Sequence, residues 1–174
     1  MDLAKYIRDV PDFPKKGIVF KDIMPLVADA AAFREAVRLM CDPWRARGVT
    51  DVVAVEARGF IFGGAVAIEL GAGFTALRKK GKLPYRTRSV TYELEYGTDT
   101  LFIHEDAIKP GDKVLLVDDL LATGGTMAGA AELVRELGGT LAGFSFLIEL
   151  EFLNGRKRLP VGVPVSSVIR YAKE

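Results

Sequence analysis

Residues 114–127 read VLLVDDLLATGGTM, and the reading of this stretch decides the fold. Four apolar residues, Val114–Val117, form a short buried strand. Two acids follow, Asp118 and Asp119, and then a loop, Leu120 to Thr126, rich in glycine and threonine. From Gly125 to Leu137 the apolar residues Met127, Ala130, Ala131, Val134 and Leu137 recur at helical spacing, and Gly138–Gly139 ends the run. A buried strand, a polar loop and a helix in that order make half of a parallel strand–helix–strand unit. In open α/β sheets ligands sit beyond the carboxyl ends of the strands, which is where Asp118 and Asp119 are expected.

The loop and the acids suit different parts of one ligand. Glycines let backbone N–H groups approach an anion. A helix start adds unpaired donors and the positive end of its dipole. Thr123 and Thr126 add hydroxyls, so Ala122, Thr123, Gly124, Gly125 and Thr126 form a candidate cradle for a phosphate monoester. The carboxylates accept hydrogen bonds and suit vicinal hydroxyls or metal-bound water. A sugar phosphate meets both demands when its phosphate and hydroxyls lie a sugar's width apart. The stretch is neither GxxxxGK[ST] nor GxGxxG. An isolated DD or GG would be a polar strand end or a loose turn; the two together, between strand and helix, argue against that.

The rest of the chain extends the pattern. Asp51–Val55 reads as a buried strand, IFGGAVAIEL (61–70) as a helix and GFTALRK (73–79) as a second strand. Val90–Tyr96 and Thr100–Ile103 suggest a hairpin near a sheet edge, Leu141–Leu150 a fourth strand and Val165–Tyr171 an edge strand. Asp29 is placed to cap a helix beginning near Ala30, with Pro43 interrupting it. Strands alternating with helices predict an α/β fold with a mainly parallel sheet covered on both faces. The 174 residues fit one domain spanning 1–174.

Composition narrows the function. Lys and Arg number 24 against 23 Asp and Glu, giving a net charge of +1, without the basic excess of a nucleic-acid binder. The one cysteine, Cys41, reads as a buried hydrophobe and excludes an intrachain disulfide; the one histidine, His104, excludes a His-pair metal site within one chain. No signal peptide is expected in MDLAKYIRDV, and charges interrupt every apolar run of membrane-spanning length. A soluble cytoplasmic protein without nucleic-acid or membrane partners is expected.

VLLVDDLLATGGT resembles the phosphoribosyl-pyrophosphate signature of the type I phosphoribosyltransferases, and the LLATGGT form is similar to that of the adenine-using members. PDFPKKGIVFKDIMPL, VEARGFIFG, LRKKGKLP and YELEYG match the family's order and spacing, so the resemblance covers nearly the whole chain. It implies the type I phosphoribosyltransferase fold with a small N-terminal hood, about residues 1–30, and a mobile flap, about residues 79–92. It implies transfer of a phosphoribosyl group from phosphoribosyl pyrophosphate to adenine, giving AMP and pyrophosphate, by a homodimer. Mg²⁺ would be held mainly through the substrate and water, with no protein metal cage.

The resemblance also assigns residues. Asp118 and Asp119, with Ala122 to Thr126, would bind the phosphoribosyl group. Arg58, Arg78, Lys79 and Lys82 would bind pyrophosphate; the plainer readings are an ion pair of Arg58 with Glu56 or Asp51, and a solvated basic loop for RKKGKLPYRTR (78–88). Phe20 would stack on adenine, with Val19 and Lys21 at the base edge, although many relatives carry Arg at the position of Lys21. Glu95 would handle the base proton, and with Arg58, Asp118 and Asp119 it completes the catalytic set. The peptide Ala57–Arg58 is expected to be cis. The alternatives are a xanthine or hypoxanthine–guanine enzyme, a non-catalytic regulator that senses phosphoribosyl pyrophosphate, and a plain sugar-phosphate binding module.

Overall fold

Strand β3 (Asp51–Val55) has no polar residue after its first, and its setting explains why. It lies inside a five-stranded sheet, paired in parallel with β4 (Gly73–Leu77) on one side and β7 (Lys113–Leu121) on the other. The order continues through β8 (Thr140–Leu150) to β9 (Val165–Tyr171) at the edge, and every pairing is parallel. Both faces of the inner strands are covered, so the strands read as continuous apolar runs. The computed structural model describes residues 1–94 and 97–173.

Alternate residues feed two cores. Val53, Leu116, Phe144 and Phe146 pack on the side that carries α4 (Gly125–Glu136), with Ala130 and Val134 of that helix. Val52, Leu115, Val117 and Leu147 pack on the opposite side against Phe62 and Val66 of α3 (Arg58–Leu70) and Ala36 and Met40 of α2 (Ala30–Cys41). Helix α2 starts where expected because Asp29 accepts hydrogen bonds from the N–H groups of Ala31 and Ala32. Cys41 is buried, as expected.

Two smaller units border the sheet. At the N-terminus β1 (Arg8–Pro11) pairs antiparallel with β2 (Val19–Asp22), and the short helix α1 (Met24–Ala28) follows. This corrects the expected loop over residues 10–17: its first two residues belong to β1, with the ladder partners Val10–Phe20 and Pro11–Val19. β5 (Thr87–Glu93) and β6 (Thr98–His104) form an antiparallel hairpin, and Val90 and Leu101 join the core on the α4 side. Residues 87–92 of the expected flap are therefore paired strand. No helix among the described residues is long and apolar enough to cross a membrane.

Trp44 had no reading from sequence. It is fully buried, with its ring edge against Gly143, where the β7–β8 register shifts between Val114 and Leu115. A Cβ on Gly143 would overlap the Trp44 ring and approach the Pro164 carbonyl. Gly143→Ala is expected to destabilise the fold by about 1–3 kcal/mol, the usual cost of overpacking. Chemical denaturation checks this, and an unchanged midpoint contradicts it.

Candidate active site

β7 does not stop at the acids. Leu120 pairs with Ile148 and Leu121 with Glu149, so Asp118 and Asp119 lie within the strand and the connecting loop is shorter than expected. The reason is that β8 runs the full length beside them. Asp118 reaches beneath the start of α3, where a Cβ on Gly59 would come within 2.6 Å of its Oδ1, and that oxygen accepts the Asp119 N–H at 2.9 Å. Asp119 is 4% exposed, and its Oδ2 lies 2.9 Å from Nε of Arg58. The Arg58 guanidinium in turn sits over the Phe20 ring, 4.9 Å from its centroid. An acid, an arginine and an aromatic ring thus connect the sheet to the N-terminal strand pair.

Burial pushes both carboxyls above the ordinary aspartate value. For Asp118 the adjacent negative charge of Asp119 adds to the effect. For Asp119 the Arg58 guanidinium opposes it without cancelling it.

The loop after β7 turns through Gly124, whose φ of 83° favours glycine, and α4 begins at Gly125. No side chain caps α4, so its first N–H groups keep their donors for a ligand. They border a small cavity of ≈ 80 Å³ lined by Asp118 and residues 120–127. The loop is backed by another part of the chain: a Cβ on Gly124 would overlap the Gly155 carbonyl, and one on Gly155 would overlap the Ala122 carbonyl. Arg158 donates from Nη2 to the Glu93 carbonyl at 3.2 Å, tying this turn to the β5–β6 hairpin. The sequence assigns no role to the segment from Phe152 to Arg158, which carries no motif.

A second cavity of ≈ 340 Å³ shares Asp118 and Thr126 with the first and adds Glu56, Arg58, Lys79, Tyr92 and Asp119. Glu56 organises the cations here. Its Oε1 accepts the Lys79 N–H at 2.6 Å, and its Oε2 lies 3.4 Å from Nη2 of Arg78. Burial raises the Glu56 carboxyl, but the Lys79 N–H, Arg78 and Lys82 together hold it below its ordinary value. The Lys79 ammonium contacts Asp99. Arg78 also donates to the Lys82 carbonyl at 3.3 Å. Arg58, Arg78 and Lys79 are therefore each paired with an acid: Arg58 with Asp119 rather than Glu56 or Asp51, and Glu56 with Arg78.

Val19 and Phe20 lie on β2 beside this site, with Phe13 edge-on to Phe20 at 5.1 Å. Lys21 points elsewhere. It is 5% exposed, its Nζ lies 2.7 Å from Asp9 Oδ1, and it covers the Tyr171 ring at 4.3 Å. Glu95 lies outside the described residues. The cis peptide is Glu56–Ala57, not Ala57–Arg58. Arg58 opens α3 and Ala57 already has helical dihedrals, so the link between them is the ordinary one of a helix start. Phe13–Pro14 is also cis.

Among the described residues no three metal-ligating side chains cluster. Asp118 and Asp119 offer hard oxygen donors beside a cavity large enough for water. That set fits a magnesium ion that keeps most of its ligands from substrate and solvent.

Ionising either aspartate costs folding free energy, because its pKa is raised on folding. Stability is therefore lost as pH rises from the ordinary value of 3.8 through the raised one. Asp118→Asn keeps the acceptor for the Asp119 N–H and removes that cost. The ligand-free variant is expected to be more stable than the parent at pH 7, with the gain vanishing below the unfolded value. Thermal unfolding at both pH values checks it; a variant less stable at pH 7 contradicts it.

Residues 45–167 match the family model described as the phosphoribosyl transferase domain. The chain is 59% identical over 160 residues to the adenine phosphoribosyltransferase of Syntrophotalea carbinolica, covering 92% of this chain and 94% of the relative. It superposes on the adenine phosphoribosyltransferase of Rhodothermus marinus with a TM-score of 0.93, at 51% identity over 97% of this chain and 96% of that one. The Saccharomyces cerevisiae enzyme, solved with an imino-altritol bisphosphate and adenine, superposes at 0.90 with 37% identity, covering 96% of each chain. With its acids and its uncapped helix start side by side on a parallel sheet, the chain belongs to the type I phosphoribosyltransferase family.

Proposed function

We propose that this chain is an adenine phosphoribosyltransferase of purine salvage. It transfers the 5-phosphoribosyl group of phosphoribosyl pyrophosphate to adenine and releases AMP and pyrophosphate. One observation carries the reading: the uncapped α4 start and the Asp118–Asp119 pair line adjoining cavities, with Arg58 against Asp119 and Phe20 beneath Arg58. The relatives' shared name, and the adenine and sugar-bisphosphate mimic bound by the yeast enzyme, agree with that layout.

The proposed roles rest on position for the described residues and on the family resemblance for Glu95. Loop 122–126 takes the 5′-phosphate, and Asp118 and Asp119 accept hydrogen bonds from the ribose 2′- and 3′-hydroxyls. The pyrophosphate lies against Arg58, Arg78, Lys79 and Lys82, and the first three exchange their protein acids for phosphate oxygens. Adenine stacks on Phe20, with the Val19 backbone at its edge; Lys21 serves by holding β2 to Asp9 and Tyr171 rather than by touching the base. N9 of adenine forms the new bond to C1′ while the C1′–oxygen bond to pyrophosphate breaks and the leaving oxygen takes the electron pair. The cations stabilise that developing charge. Glu95 takes the proton that the base loses. Mg²⁺, carried in on phosphoribosyl pyrophosphate, supplies further neutralisation of the leaving group when bound. Residues 1–30 act as the hood of a single domain, and the flap narrows to residues 79–86, which precede β5.

The working form is proposed to be a cytoplasmic homodimer with neither nucleic acid nor membrane as a partner. Incubation with Mg²⁺, phosphoribosyl pyrophosphate and each purine base is expected to yield AMP from adenine and little product from hypoxanthine, guanine or xanthine. Excess chelator is expected to stop the reaction. A preference for a 6-oxopurine overturns the base assignment, and no product with any base overturns the enzyme reading. Asp119→Asn is expected to lower turnover by about 10²-fold or more while leaving the fold intact; unchanged kinetics remove Asp119 from the catalytic set.

A further inference from the structure

Arg156 lies outside both cavities, yet it holds the piece of chain on which the phosphate loop leans. Glu149 on β8 is 4% exposed and pairs across the ladder with Leu121, the residue before the loop. Its two carboxylate oxygens accept from Nε and Nη2 of Arg156, each at 2.6 Å, a fork-to-fork pair. The Ser167 hydroxyl donates to Oε2 of the same carboxylate at 2.6 Å, and Nη1 of Arg156 donates to the Val165 carbonyl at 3.3 Å. Burial raises the Glu149 carboxyl, and the Arg156 and Ser167 hydrogen bonds with the Arg156 and Arg170 charges more than reverse this, so the acid stays ionised.

This network fixes the 3₁₀ turn Gly155–Arg158, which is closed internally by Lys157 N–H donating to the Asn154 carbonyl at 3.0 Å. The turn meets the loop backbone to backbone, with Gly155 against both Ala122 and Gly124. A shift of the turn is therefore passed directly to residues that line the cavity. The geometry points to Arg156 as a positioning residue: anchored on Glu149, it sets the Gly155 turn that aims the loop 122–126 at the 5′-phosphate. The inference rests on the reading of that loop as the phosphate cradle.

The test compares AMP with adenosine, which lacks only the phosphate. Calorimetry gives Kd for each, and steady-state assays give KM for phosphoribosyl pyrophosphate and kcat. Arg156→Ala and Glu149→Gln are expected to weaken AMP by about 10-fold or more, since small misplacements of binding groups have large effects. Adenosine is expected to hold within about twofold, with KM for phosphoribosyl pyrophosphate rising and kcat changing by less than about threefold. Arg156→Lys keeps the charge without the fork and is expected to lie between. Gly155→Ala leaves the network intact and disturbs only its contact with the loop, so it is expected to reproduce the AMP-specific loss even if the other variants fold poorly. Equal weakening of AMP and adenosine, or a lower melting temperature with unchanged AMP binding, overturns the inference. A parent protein that does not prefer AMP to adenosine overturns the phosphate reading itself.

Discussion

Two adjacent carboxyls are held largely out of water within a strand, and the rest of the site answers that constraint. Isolated, Asp118 and Asp119 are unfavourable: burial opposes the ionisation of both, and the charge of Asp119 opposes that of Asp118 further. They persist because β7 is fixed on both sides by parallel partners, and because Arg58 offsets part of the charge at Asp119. Arg58 is itself held over Phe20, so the arrangement that tempers the acids also positions the aromatic ring. A sugar's hydroxyls are suited to such a pair, because they donate hydrogen bonds without adding charge.

The two proposed anion sites are built on opposite principles. At the start of α4 the protein offers neutral amides, kept free by the absence of a cap and supported from behind by Gly155. On the other side of the acids it offers cations, each already matched to an acid: Arg78 with Glu56, Lys79 with Asp99, and Arg58 with Asp119. The first suits a phosphate that stays on the product. The second suits a group that must leave, because the departing anion is replaced by carboxylates already in place.

Much of this was legible in the sequence where the cause was local. Strand β3 has the expected bounds, α2 begins at its Asp29 cap, and the glycine-rich stretch after β7 does open a helix at Gly125. What was not legible depends on contacts distant in sequence. β7 continues past its acids because β8 pairs with it as far as Glu149. Lys21 looks free to meet a base until Asp9 and Tyr171 are brought beside it. Gly155 and Arg158 have no pattern of their own, and they matter because the fold returns them to the loop. The cis bond, expected from the family resemblance at Ala57–Arg58, lies one residue earlier, and no pattern in the residues marks its place.

The most direct measurement is a crystal structure of the protein with AMP. The account requires the 5′-phosphate to accept hydrogen bonds from the amides of residues 122–126, the ribose hydroxyls to donate to Asp118 and Asp119, and the base to lie on Phe20. A nucleotide bound elsewhere, or one whose phosphate lies among Arg58, Arg78 and Lys79 while the α4 start stays vacant, would contradict it.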